Sequence, residues 1–255
     1  MPVSSAPLDH VARLALTIGR MLLEWGANAR TVHMAIVDAA RGFGCDSTEV
    51  YCQHAAVIVM LRRGGESCAQ MGKVGEHGVN LRCAETLMGL VDRIAAGHLD
   101  CDSALAEVES VPLKSGAYPA WFVCVTTGLA CAAFGRLLDA DWSSFLPILA
   151  GAACGQWLRR ALLHRKQNIF FIVSLVAFVS ALIAGLGGRL VGSGHLDIAT
   201  TAAVLLLVPG PAVLNALWDA IDGKPNLAAA RALRVILILL FMTFGLLAAQ
   251  QLTHV

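Results

Sequence analysis

The residues best placed to do chemistry lie late in the chain, where an apolar run reads Val208-Pro209-Gly210-Pro211 and continues to Asn215 and Asp219. Two prolines around a glycine delete two backbone donors and interrupt helical geometry. Inside a bilayer such a break is costly unless it lines a cavity or is enclosed by protein. The carbonyls it frees, with Asn215 four residues beyond Pro211, make a candidate site for a polar solute or a coupling ion, as discontinuous helices do in secondary transporters. Asp219 lies one helical turn past Asn215 on the same face and reads as a carboxylate for a proton or for gating. The predicted substrate- or ion-binding set is therefore Pro209, Gly210, Pro211, Asn215 and Asp219. A plainer reading stands beside it: a packing kink, an interhelical bond from Asn215 and an interfacial charge at Asp219. The hydroxyls of Thr126, Thr127, Ser174, Ser180, Thr200 and Thr201 could line a passage, and each can equally bond its own helix.

Other chemistry finds little support. No nucleophile elbow, P-loop or dinucleotide fingerprint occurs, and Gly72-Lys73-Val74-Gly75 lacks the phosphate-loop spacing. ATP would have to be hydrolysed by another chain. The eight cysteines show no zinc-type pair; they read as buried, reduced thiols. His33, His54, His77 and His98 have no helical partner at i+4 and read as surface or core histidines. No metal, cofactor or enzymatic activity is predicted, and a net charge of +1 gives no indication of nucleic acid.

The elements that must position the break follow from composition. Of the 255 residues 57% are hydrophobic and 15% charged, against about 25% charged in soluble domains. Residues 1–116 hold 10 Lys and Arg against 13 Asp and Glu, net −3; residues 117–255 hold 9 against 5, net +4. The division predicts a cytoplasmic α+β domain over 1–116 and a membrane domain of five transmembrane helices over 117–255. Five apolar runs, at 117–138, 145–163, 169–191, 198–218 and 233–250, carry the spans. The second and fourth loops hold seven basic residues (Arg159, Arg160, Arg165, Lys166, Lys224, Arg231 and Arg234), and the first and third hold only Arg136 and Arg189. That bias puts the N-terminus inside and the C-terminus outside the cell.

Within 1–116, Ser4, Ser5 and Pro7 lead into a helix over 8–25. Its stripe of Asp9, Arg13, Arg20 and Glu24 marks a core helix and not a signal peptide. A second helix spans 29–42. Strands at 49–54, 55–61 and 67–74 surround a turn with Gly64-Gly65, and helices follow at 79–96 and 101–110.

With these features in order, the chain resembles the threonine/serine exporter family. The resemblance rests on the opening helix and turn from Gly19 to Ala27, and on His54 to Leu61 followed by Arg62. It rests also on the stretch from Gly78 through Asn80 to Asp100, and on Val208-Pro209-Gly210-Pro211 with Asn215. No binding role is carried onto Ala27-Asn28-Ala29-Arg30, where a more polar, aromatic-containing stretch is common in that family. Members with two fused membrane halves have about ten spans, so a five-span chain resembles the larger protein of the split form. The resemblance implies an inner-membrane secondary exporter of hydroxy amino acids or of a dicarboxylate such as succinate. It also implies a second small membrane subunit; that subunit, or a second copy of this chain, would complete the cavity. The rival reading is a membrane-anchored sensor or scaffold whose cytoplasmic domain binds a partner.

Overall fold

The computed structural model describes residues 6–75, 78–114 and 118–253, the side chains of 113 and 114 excepted. Ser4, Ser5, His77 and the junction at 116 and 117 lie outside the described residues. The chain divides into two compact units, Met1–Gly116 with Gly210–Leu233, and Ala117–Pro209 with Arg234–Val255. The first unit is therefore built from two separate stretches of sequence.

In the first unit, α1 (Leu8–Glu24) buries Leu8, Val11, Leu14, Ala15, Ile18 and Leu22. That three- and four-residue spacing lays one apolar stripe on the core. α2 (Ala29–Gly42) is capped by Asn28, whose side chain accepts from the Thr31 amide at 2.8 Å. Strands β1 (Ser47–Cys52), β2 (Ala56–Arg63) and β3 (Glu66–Lys73) form an antiparallel sheet in that order. Val57, Val59 and Leu61 of β2 point inward, whereas Ile58 between them is exposed. Gly64 and Gly65 close the β2–β3 hairpin with φ of +58° and +88°, the two positive values a tight hairpin turn needs. α3 (Leu81–Ala95) and α4 (Cys101–Lys114) complete this part of the chain. α9 (Gly210–Ile221) and the first residues of α10 (Pro225–Thr253) join the same unit, and Leu227 of α10 sits in its hydrophobic core.

The second unit holds α5 (Ala120–Leu137), α6 (Phe145–His164), α7 (Ile169–Leu190), α8 (Leu196–Val204) and the remainder of α10. Small residues let these helices approach closely. A β-carbon at Gly128 would lie 2.7 Å from the Leu149 carbonyl oxygen, and one at Gly151 would lie 2.5 Å from that of Ser180. Gly245 of α10 rests directly on the Ser174 carbonyl of α7. Among the described residues, α5, α7 and α10 are long and apolar enough to cross a membrane. A fourth crossing is reached if residues Leu196–Leu207 and α9 are counted as one broken span. The run at 145–163 does form a helix, α6, but its second half carries Gln156, Arg159, Arg160 and His164. The count supported by length and composition is three or four, one or two below the five apolar runs.

Candidate functional site

The break falls where the two prolines place it. After Val204 the chain tightens into a single 3₁₀ turn, Leu205–Leu207, and Val208 leaves helical space at φ −63°, ψ 120°. α9 starts at Gly210, so Pro211 stands in its first turn, where the missing amide hydrogen costs nothing. Leu196–Leu207 is 12 residues, roughly 18 Å of helix against a hydrocarbon core of about 30 Å. Alone it is too short to cross, and its last turn closes with the Val208 amide on the Leu205 carbonyl at 3.1 Å. A β-carbon at Gly210 would meet nothing within 4 Å, so no close contact requires a glycine there.

Asn215 and Asp219 share a face of α9, and both side chains are held within the first unit by the turn between α1 and α2. Trp25 caps α1, and Gly26 reverses the chain at φ +90°. Only glycine suits that position, because a β-carbon would also lie 2.9 Å from the Gly78 carbonyl oxygen. Asn215 donates from Nδ2 to the Gly26 carbonyl at 2.7 Å. Arg231 of α10 donates from Nη2 to the Ala27 carbonyl at 3.0 Å. The Ala29 amide, at the start of α2, donates to Asp219 Oδ1 at 3.0 Å, so the carboxylate also meets the positive end of that helix. Asp219 Oδ2 lies 2.9 Å from Arg231 Nη1. The two atoms meet as an ion pair without an aligned hydrogen bond, and neither has a hydrogen-bond partner among the described residues. At the rim Arg30 Nη1 approaches Asp222 Oδ1 at 3.8 Å.

Burial sets the energetic scale. Asp219 is 0% exposed and Arg231 6%. Removing one partner of such a pair costs about 3–5 kcal/mol, because the other charge is left buried alone. Nearby, burial pushes the Cys52 thiol up to about 11; the charges of Lys224 and Arg231 oppose that shift and Asp219 adds to it.

Of the five predicted site residues, Asn215 and Asp219 come together on the turn, and Pro209, Gly210 and Pro211 form the break. Arg231 was legible only as a positive charge marking the inner side. The turn at residues 26–29, onto which no role was carried, receives all three polar side chains. A signal for Arg231 existed: it follows Leu227 at i+4, on the face that enters the core.

The hydroxyls divide as well. Thr126 Oγ1 bonds the Phe122 carbonyl of its own helix at 2.8 Å. Thr200, buried in the second unit, bonds the Asp197 carbonyl at 2.9 Å and accepts from Gln250 Nε2 at 3.1 Å. Ser180 is buried against Gly155, and its hydroxyl has no partner among the described residues. At one end of the second unit Asp141 gathers the Gly194 amide at 2.9 Å, His195 Nδ1 at 2.9 Å and Ser193 Oγ at 3.3 Å. The Gly194 hydrogen bond, then that of His195, holds the Asp141 carboxyl below the usual carboxylate range. Among the described residues no group of three His, Cys, Asp or Glu is placed to hold a metal ion.

A chain with several apolar helices of spanning length is a multi-pass membrane protein. It belongs to the threonine/serine exporter family: the family model described as "Putative threonine/serine exporter" matches residues 13–253. It is 29% identical over 222 residues to the "Probable succinate transporter subunit YjjP" of Klebsiella aerogenes, covering 87% of this chain and 85% of that protein. The Escherichia coli K12 protein of the same name is also 29% identical over 222 residues, with 87% and 86% covered. An uncharacterized protein of Haemophilus influenzae is 26% identical over 132 residues, 52% of this chain and 44% of that one. No solved structure is significantly similar.

Proposed function

We propose that the chain is one subunit of an inner-membrane secondary exporter of small amino or carboxylic acids, threonine and serine or a dicarboxylate such as succinate. A second small membrane subunit completes the passage. The N-terminus faces the cytoplasm and the C-terminus the outside, a reading the seven-to-two basic bias supports. The observation that carries the reading is the break at Val208-Pro209 in an apolar segment, followed by Asn215 and Asp219 on one face. Membership of an exporter family supports it, and the names of the two YjjP relatives favour a carboxylate solute and a multi-subunit assembly.

In this account Pro209, Gly210 and Pro211 open the backbone, and Asn215 and Asp219 handle the solute's carboxylate or its coupling proton. Both side chains are engaged by the turn at residues 26–29. Solute handling by them therefore belongs to a second state, in which α9 has left that turn. Alternating access is the exchange between the two. The test is reconstitution of this chain, with and without its small membrane partner, in proteoliposomes offered labelled threonine, serine and succinate. Movement of at least one solute only when both chains are present is the expected result; no movement of any refutes the reading.

A further inference from the structure

We propose that Arg231 is a positioning residue: it sets whether α9 is docked on the α1–α2 turn or released from it. The two halves of the segment 210–233 are fixed by different forces. The start of α10 is anchored by burial, with Leu227 at 1% exposure in the core of the first unit. α9 buries only Ala216 and Asp219, and it exposes Val213, Leu214, Leu217, Trp218 and Ile221. Apolar burial therefore contributes little to holding α9 on this unit. What holds it is polar: Asn215 on the Gly26 carbonyl, and Asp219 on the Ala29 amide.

The second of those contacts depends on Arg231. A fully buried carboxylate stays ionised only beside a counter-charge, and Arg231 supplies it at 2.9 Å from the anchored half of the segment. The guanidinium is itself fixed by the Ala27 carbonyl. The fixed element thus carries the catch, and the weakly buried element carries the group that is caught. Once the guanidinium charge is withdrawn, Asp219 reaches water at least cost by taking α9 off the turn. Segments with few buried apolar contacts and polar attachments are those that open locally. The consequence for transport rests on the exporter reading above: a helix that cannot dock cannot alternate, so turnover is lost.

Hydrogen exchange on the full-length protein in detergent, read on peptides covering 210–221, tests this. Arg231→Met keeps most of the side-chain volume and removes the charge. Exchange in α9 should rise about two hundredfold or more, as expected for one partner stripped from a buried pair. Asp219→Asn combined with Arg231→Met lacks the same guanidinium but buries no charge, and its exchange should return to within about threefold of the wild type. An increase below about tenfold in the single variant overturns the proposal, and so does a double variant as fast as the single. Equal acceleration across residues 8–42 also overturns it, since the pair would then hold the whole unit and not α9. Efflux of whichever of threonine, serine and succinate the wild type moves, from proteoliposomes holding the partner subunit, should fall about tenfold in Arg231→Met and stay within about threefold of the wild type in Arg231→Lys, which keeps the charge. An Arg231→Lys protein whose α9 is docked yet which is as inactive as Arg231→Met contradicts positioning as the role of Arg231. If the wild-type protein moves none of threonine, serine and succinate, the exporter reading fails separately, and exchange in α9 still decides for or against the catch.

Discussion

Gly26→Ala strikes the turn that receives Asn215, Arg231 and Asp219 without touching any of the three. Gly26 has φ +90°, and an added β-carbon would lie 2.9 Å from the Gly78 carbonyl oxygen and 3.5 Å from Val79 Cγ2. Left-handed backbone costs a non-glycine residue about 1–2 kcal/mol. Crowding a packed site adds about 1–3 kcal/mol, and the stiffer unfolded chain returns about 0.4–1 kcal/mol. The net is near 3 kcal/mol. Gly64→Ala is the control: φ is +58° there and nothing lies within 4 Å, so only about 1 kcal/mol of strain applies. A difference of about 2 kcal/mol is roughly thirtyfold in an opening equilibrium. Hydrogen exchange in the full-length protein should therefore accelerate roughly thirtyfold more at residues 24–36 in Gly26→Ala than at residues 58–70 in Gly64→Ala. Equal acceleration of the two would refute the claim that the Gly78 contact, and not backbone strain alone, fixes the turn.

Other outcomes follow from the same structure. The Cys52 and Cys101 thiols are each pushed from 9.0 up to about 11, chiefly by burial. Their thiolate fractions at pH 8, and hence their alkylation by iodoacetamide, should be about a hundredfold below those of an unperturbed thiol; mass spectrometry of the native protein reads this, and labelling at the free-thiol rate would contradict it. Asp141 has a lowered pKa in the folded protein, so its contacts are present above the ordinary carboxylate pKa and are lost as pH falls through the lowered one. Protection of the Gly194 amide, relative to its intrinsic exchange rate, should hold from about pH 5 to 8 and fail only below about pH 3.9; loss near pH 6 would exclude Asp141 as its acceptor. Gly245→Val would press a side chain onto the Ser174 carbonyl and should destabilise the detergent-purified protein by about 1–3 kcal/mol or more. Gly89→Ala, in open space on α3, should stabilise it by about 0.5–1 kcal/mol, and both are read from thermal melting.

Much of the local structure was written in patterns that sequence displays openly. The polar stripe of α1 marked its outer face, the paired glycines marked the β2–β3 turn, and Pro-Gly-Pro marked the break. Asn215 and Asp219 were legible as one face because four residues make about one helical turn. The partner of that face was not. Its acceptors are the carbonyls of Gly26 and Ala27 and its donor is the Ala29 amide, and backbone groups carry no residue identity. A unit made of 1–116 with 210–233 also has no expression in charge or hydropathy read along the chain. Five exposed apolar side chains on α9 give it the composition of a lipid-facing helix, although its polar face meets the turn between α1 and α2. Arg231 was hidden for a related reason: loop cations are counted for orientation, and a count does not distinguish a solvated charge from a buried one.

The proposed function places solute handling at the broken segment. The direct measurement is efflux from cells loaded with threonine, serine or succinate that express this chain with the proposed small membrane subunit, comparing wild type with Asn215→Ala and Pro209→Leu at equal membrane abundance. A fall of about tenfold or more in both variants is predicted for whichever solute the wild type exports. Undiminished efflux from both variants would contradict it.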